Sequence, residues 1–152
     1  MDRIVELVPG ERIVTDKTVS LAEEYLADHF PTFPVLPGVL MLEAMAQSAA
    51  WLVRATQDFH PSLILLNEAR NVTYTSFVRP GQTLRMDIHC RRMEEGSSDY
   101  QGRGTCEQTA VVKARFSLRH HQLAEQNADF AGLDERMRQA SRGAYEMLCT
   151  AS

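Results

Sequence analysis

Val35-Leu36-Pro37-Gly38-Val39-Leu40-Met41-Leu42-Glu43-Ala44-Met45-Ala46-Gln47-Ser48-Ala49-Ala50-Trp51-Leu52-Val53 is the stretch that decides the fold. It is nearly all apolar, and Pro37-Gly38 opens it in the manner of a helix start. The pattern predicts a helix from Pro37-Gly38 to about Thr56. A membrane span is the competing reading. Glu43, Gln47 and Ser48 argue against it, because a carboxylate in mid-bilayer is expensive. A helix apolar on every side is also what the buried centre of a water-soluble domain requires. Ala44, Ala46, Ser48, Ala49 and Ala50 are small enough to let strands come close.

Outward from the helix the chain reads as strands. Arg3–Val8 and Arg12–Val19 flank Pro9-Gly10 as a hairpin. A polar, partly helical stretch, Leu21–Asp28, and a proline-stiffened loop, His29–Pro37, lead into the helix. Beyond it Leu63–Thr75 is one long strand candidate and Pro80-Gly81 a turn. Leu84, Met86, Ile88 and Cys90 alternate with charged or polar neighbours, as do Val112, Ala114, Phe116 and Leu118. That is the period of a half-buried strand. Glu94–Asp99 reads as a polar turn, and Tyr100–Thr109, with Gly102 and Gly104, as a weaker strand. A lone helix apolar all round needs cover on every side, which a strongly curved antiparallel sheet would give.

The tail is of another kind. Phe130, Leu133, Met137, Ala140, Ala144 and Met147 recur at heptad spacing between Ala124 and Cys149. This predicts an amphipathic helix whose stripe packs on its own sheet or on a neighbouring subunit. Residues 1–123 thus read as one α+β domain and 124–152 as a helical extension of it.

Composition fits a single globular domain: 152 residues, 44% hydrophobic, 24% charged, net charge −4. Cys90, Cys106 and Cys149 are too few and too scattered for a disulfide framework, so reduced thiols in a cytoplasmic protein are expected. The start, MDRIVELVPGER, has neither a basic beginning nor a long apolar core, so no signal peptide is expected. Charge is uneven. Residues 70–92 carry five arginines, at 70, 79, 85, 91 and 92, against Asp87 alone. They form either a local cationic surface or ordinary solvated strand faces. No aromatic-interleaved basic motif accompanies them, which speaks against nucleic acid. No cluster has metal-ligand spacing, and no glycine-rich loop suggests a nucleotide.

Glu43 is the odd residue of the apolar helix. Burial there would raise its pKa and leave a usable general acid. The alternative, equally weighted, is a structural carboxyl satisfied by backbone or arginine. Gln47 lies four residues on, on the same face. His29 stands apart from His60, His89, His120 and His121 because a rigid loop connects it to the helix bearing Glu43. A histidine and a carboxyl with separated pKa values form a base–acid pair.

His29-Phe30-Pro31, Pro34, Pro37-Gly38-Val39-Leu40 and Leu42-Glu43-Ala44-Met45-Ala46-Gln47 resemble the 3-hydroxyacyl-acyl-carrier-protein dehydratases of bacterial fatty-acid synthesis. Arg79-Pro80-Gly81-Gln82 resembles that family's later P-G-D turn, and the likeness spans roughly residues 2–118. The sequence departs from the family's run at Asp28 and Thr32, where glycine is usual.

The resemblance implies a hotdog fold, in which a curved antiparallel sheet wraps a central helix. It implies a homodimer, often assembled into a hexamer, with His29 of one subunit facing Glu43 of the other. It implies catalysis by His29 and Glu43, with Gly38 and Gln47 holding substrate. The substrate would arrive on the phosphopantetheine arm of acyl carrier protein, with no metal and no dissociable cofactor. Two other activities share such a fold: acyl-thioester hydrolysis and non-catalytic acyl binding.

Overall fold

The computed structural model describes residues 1–23, 26 and 34–151. His29, Asp28 and Thr32 therefore lie outside the described residues, as do half of the predicted polar stretch Leu21–Asp28 and the start of the proline loop. Six strands and two α-helices are found among the described residues, in the order β1 Arg3–Val8, β2 Arg12–Thr18, α1 Gly38–Thr56, β3 Leu63–Tyr74, β4 Thr83–Met93, β5 Ser97–Cys106, β6 Thr109–His121 and α2 Ala131–Thr150. Two short 3-10 turns, Leu123–Glu125 and Ala128–Phe130, lead into α2. The strands form one antiparallel sheet in the order β1-β2-β4-β5-β6-β3. This sheet curls around α1, which gives the hotdog arrangement.

Two of the turns follow from their sequence. Gly10 takes φ +75° and Gly81 φ +88°, conformations that cost glycine nothing. Strands β4 and β6 follow the period of two: Leu84, Met86, Ile88, Val112, Ala114, Phe116 and Leu118 all point at α1 and are buried. Opposite them Met41, Met45, Ala49, Leu52 and Val53 fill the other half of the core.

Strand β5 differs from the sequence reading. It begins at Ser97, inside the stretch read as a turn, and only Glu94–Gly96 connects it to β4. Ser97 and Ser98 pair with Arg119 and Leu118 of β6. The inward Ser98 is tolerated because its hydroxyl lies 2.7 Å from His120 Nε2. The glycines of β5 are not weaknesses. A methyl group at Gly102 would sit 2.9 Å from both Met45 Sδ and Ile88 Cδ1. Glycine is thus what lets β5 close on α1. We expect Gly102→Val to destabilise the protein by about 2 kcal/mol through overpacking. Urea unfolding checks this, and an unchanged midpoint refutes it.

Helix α2 packs against its own domain with a face that overlaps its heptad stripe only in part. Tyr145 meets Trp51 and Phe59, with ring centroids 6.2 and 5.5 Å apart, and Arg142 lies over the Phe59 ring. Leu133 and Met147 of the stripe are exposed. Met137 and Ala144 are half-buried, so the domain covers the stripe only in part. The rest of the inward face is built by Tyr145, Leu148 and the buried carboxylate Asp134.

Candidate active site

Helix α1 is not covered on every side, and this corrects the expectation for Glu43. The sheet's edges, β1 and β3, do not meet, so one stripe of the helix faces the gap. Glu43 and Gln47 lie on that stripe and are exposed in the single chain. The burial expected of Glu43 is absent in an isolated subunit. The spacing argument succeeds: Gln47 Nε2 donates to Glu43 Oε1 at 3.3 Å.

The gap is a cleft of about 460 Å³ floored by α1. Glu43 and Gln47 lie along it with Trp51 and Arg54, and Ile64, Leu65 and Leu66 of β3 form an apolar wall. The sequence reading missed Trp51, Arg54 and the β3 wall. Their signal was present as the spacing 43, 47, 51, 54, which is one face of a helix.

Gly38 is the first residue of α1. Its N–H is among the four first-turn amides that no helical carbonyl can accept. The ring of Tyr74 lies flat against it, so that a Cβ on Gly38 would fall 2.9 Å from Tyr74 Cε1. Tyr74 ends β3, the strand that also supplies the cleft wall. The first turn of α1 and Glu43 thus lie in sequence along one helix, with β3 beside it supplying both Tyr74 and the apolar wall. His29, the remaining predicted group, lies outside the described residues. Among the described residues no group of three or more His, Cys, Asp or Glu side chains is placed to hold a metal ion.

A FabA-like domain matches residues 1–115, about three quarters of the chain. The chain belongs to the FabA-like family. The 3-hydroxyacyl-[acyl-carrier-protein] dehydratase FabZ of Chloroflexus aggregans is 42% identical over 116 residues, covering 76% of this chain and 81% of that protein. The enzyme of the same name from Bordetella pertussis is 33% identical over 131 residues, covering 82% and 87%. Among solved structures, the dehydratase heterocomplex ApeI:P from Xenorhabdus doucetiae superposes with a TM-score of 0.67 at 19% identity, covering 85% of this chain and 87% of that one. The E. coli PaaI protein of the phenylacetic acid degradation operon reaches 0.59 at 12% identity, covering 78% of each chain. These two likenesses establish the fold. The family match ends within β6, so α2 lies beyond the part this chain shares with the family model.

The middle arginines resolve into both of their readings. Arg85 is tied to buried Asp16 by two hydrogen bonds of 2.8 and 3.0 Å, and Arg3 binds the same carboxylate. These guanidinium groups, Arg85 first, hold the Asp16 pKa below its ordinary value. Arg70 pairs with Glu68. Arg91 instead joins residues from outside the window: Arg103, Lys113 and Arg115 line the same groove on the outer sheet face. There Arg103 opposes Lys113, and Arg70 opposes Arg115, directly across the ladder. Asp87, opposite Arg103 on β4, and Glu68, paired with Arg70, offset part of this repulsion, and the groove keeps a cationic excess.

No helix among the described residues is long and apolar enough to cross a membrane. That agrees with reading α1 as the centre of a hotdog domain.

Proposed function

We propose that this protein dehydrates 3-hydroxyacyl thioesters of acyl carrier protein to trans-2-enoyl thioesters in fatty-acid or related lipid synthesis. The observation that carries it is the cleft beside α1, where Glu43 and Gln47 face an apolar wall just past the helix start at Gly38. The 31–42% identity to several FabZ dehydratases supports the same reading.

The chemistry divides among these groups. Neutral His29 takes the C2 proton. The C3–O bond breaks, Glu43 donates its proton to the departing oxygen, and water leaves as the C2–C3 double bond forms. The Gly38 N–H faces the thioester oxygen as negative charge grows there, a place favoured by the helix dipole. Gln47 orients Glu43. No step needs a metal or a dissociable cofactor.

The site is completed by a second copy. Strand β3 is a twelve-residue sheet edge with Leu65 and Leu66 exposed, and such an edge is a template for pairing. Pairing of β3 with its two-fold mate would cover both clefts, and the family resemblance implies that His29 of one subunit then serves Glu43 of the other. Covering also supplies the desolvation that the single chain withholds from Glu43. The compartment this chemistry implies is the cytoplasm.

The cationic groove of Arg91, Arg103, Lys113 and Arg115 is assigned to an acidic carrier protein. Activity on carrier-bound substrate should then fall several-fold between low and physiological salt, because exposed charges are screened within about 8 Å at 0.15 M. A free pantetheine thioester should show no such fall. Equal salt sensitivity of the two substrates would reject the docking.

The test of function is the product mass from a 3-hydroxyacyl carrier-protein thioester. Loss of one water supports dehydration. Release of free thiol indicates hydrolysis, and an unaltered thioester over several chain lengths indicates an acyl-binding protein.

A further inference from the structure

The cleft holds one group that dehydration of a plain alkyl chain does not use. Arg54 lies eleven residues after Glu43 on the same face of α1, which places it roughly 16 Å further along the helix axis. Its guanidinium stacks over Trp51, 4.9 Å from the ring centroid. Its Nε is buried and has no hydrogen-bond partner. Around it the cleft is apolar, with Ala50, Ile64, Leu65 and Leu118. Burial disfavours its charged form. An alkyl chain passing here would cover this half-buried cation without pairing it, an arrangement that costs free energy until an acceptor arrives. The N–H fork of a guanidinium suits a carboxylate, which it can bind through two parallel hydrogen bonds.

We infer that Arg54 makes this cleft selective for acyl chains of medium length whose far end carries a carboxylate. This rests on the dehydratase reading for the direction of the chain. The thioester lies at Gly38, the 3-hydroxyl at Glu43, and the remaining carbons run past Gln47 and Trp51 to Arg54. The order of residues along α1 matches the order of atoms along such a substrate. A longer alkyl chain meets the cation; a shorter one leaves it unsatisfied.

The test has two arms. In the first, 3-hydroxydodecanoyl and 3-hydroxydodecanedioyl pantetheine thioesters are compared as substrates of the full chain. The diacid should be preferred about thirtyfold in kcat/KM, the range expected of a charged hydrogen bond. Arg54→Met, of similar length and without charge, should reverse the order. Arg54→Lys, which keeps the charge but loses the fork, should retain part of the preference, and it serves if the Met variant does not fold.

The second arm needs no turnover. Trp51 is the chain's single tryptophan. Dodecanedioyl-pantetheine amide should change its fluorescence at a lower concentration than the dodecanoyl amide, and Arg54→Met should remove the difference. Loss of water from neither thioester, with diacid binding intact, would sink the dehydratase reading and leave Arg54's role standing. An unchanged chain preference in Arg54→Met overturns the inference. So does a fall in oligomer mass in that variant with no diacid preference in the parent, since Arg54 would then be pairing with a second subunit.

Discussion

Glu43→Gln should lower kcat for dehydration by about a thousandfold, within the range that one positioned general acid supplies. The expectation rests on isolation of function from stability. Glu43 is exposed, and it accepts a 3.3 Å hydrogen bond from Gln47, a neighbouring exposed glutamine. Exposed substitutions of this kind change stability by about 0.5 kcal/mol or less. The variant should therefore keep its melting temperature while losing turnover. Glutamine keeps the volume and the hydrogen-bonding of the carboxylate but has no proton to give. If the group acts only by holding substrate, KM rises and kcat survives. If it is structural, the melting temperature falls with the activity. Enoyl-thioester absorbance in the hydration direction, read beside a thermal melt, separates the three outcomes. A kcat within threefold of the parent would remove Glu43 from the mechanism.

What could be read from the chain depended on whether one subunit contains the reason. Gly38–Thr56 was legible to its ends because Pro37-Gly38 opens it and its apolar run is closed by Gln57 and Asp58. Strands β4 and β6 were legible because one face of each meets α1 and the other meets water. Strand β5 was harder, since Gly102 and Gly104 read as breakers until α1 is placed against them. The exposure of Glu43 was not legible at all. An apolar helix advertises burial, but the gap between β1 and β3 is a property of sheet closure, which no local pattern records. The charged groove failed as a window of sequence for a related reason. Arg91 comes from β4, Arg103 from β5, and Lys113 and Arg115 from β6, so only the ladder brings them together. Arg54 was missed because the motif that drew attention ends at Gln47, while the helix face continues for two more turns.

Asp134→Ala should cost about 3 kcal/mol of stability and release α2 from the domain. In the sequence Asp134 is one of six charged residues in a polar tail helix, with nothing to mark it. In the fold it is 1% exposed and holds three partners. It accepts from the Leu123 and Ala124 amides at 2.9 and 2.8 Å, and from the hydroxyl of Ser62 at the start of β3. Those two amides open the first 3-10 turn, so one carboxylate caps that turn and clamps it to α2 and to the sheet. Alanine leaves both amides without an acceptor, at about 1–3 kcal/mol for each buried unsatisfied group, partly offset as water reaches them. Asn would restore one acceptor and should recover part of the loss. The pH dependence has a definite sign. Desolvation pushes the Asp134 pKa up, but the hydrogen bonds from Ser62, Ala124 and Leu123 outweigh it and hold it below the ordinary value. Its contribution is therefore complete above the unfolded-state pKa near 4, and it is lost as pH falls through the lower folded value. The parent should lose its advantage over Asp134→Ala only in that acid window. Amide exchange across residues 131–150 supplies the local readout, because release of α2 exposes its backbone before the sheet unfolds. Equal protection of α2 in parent and variant at neutral pH would show that Tyr145 and Leu148 alone hold the helix.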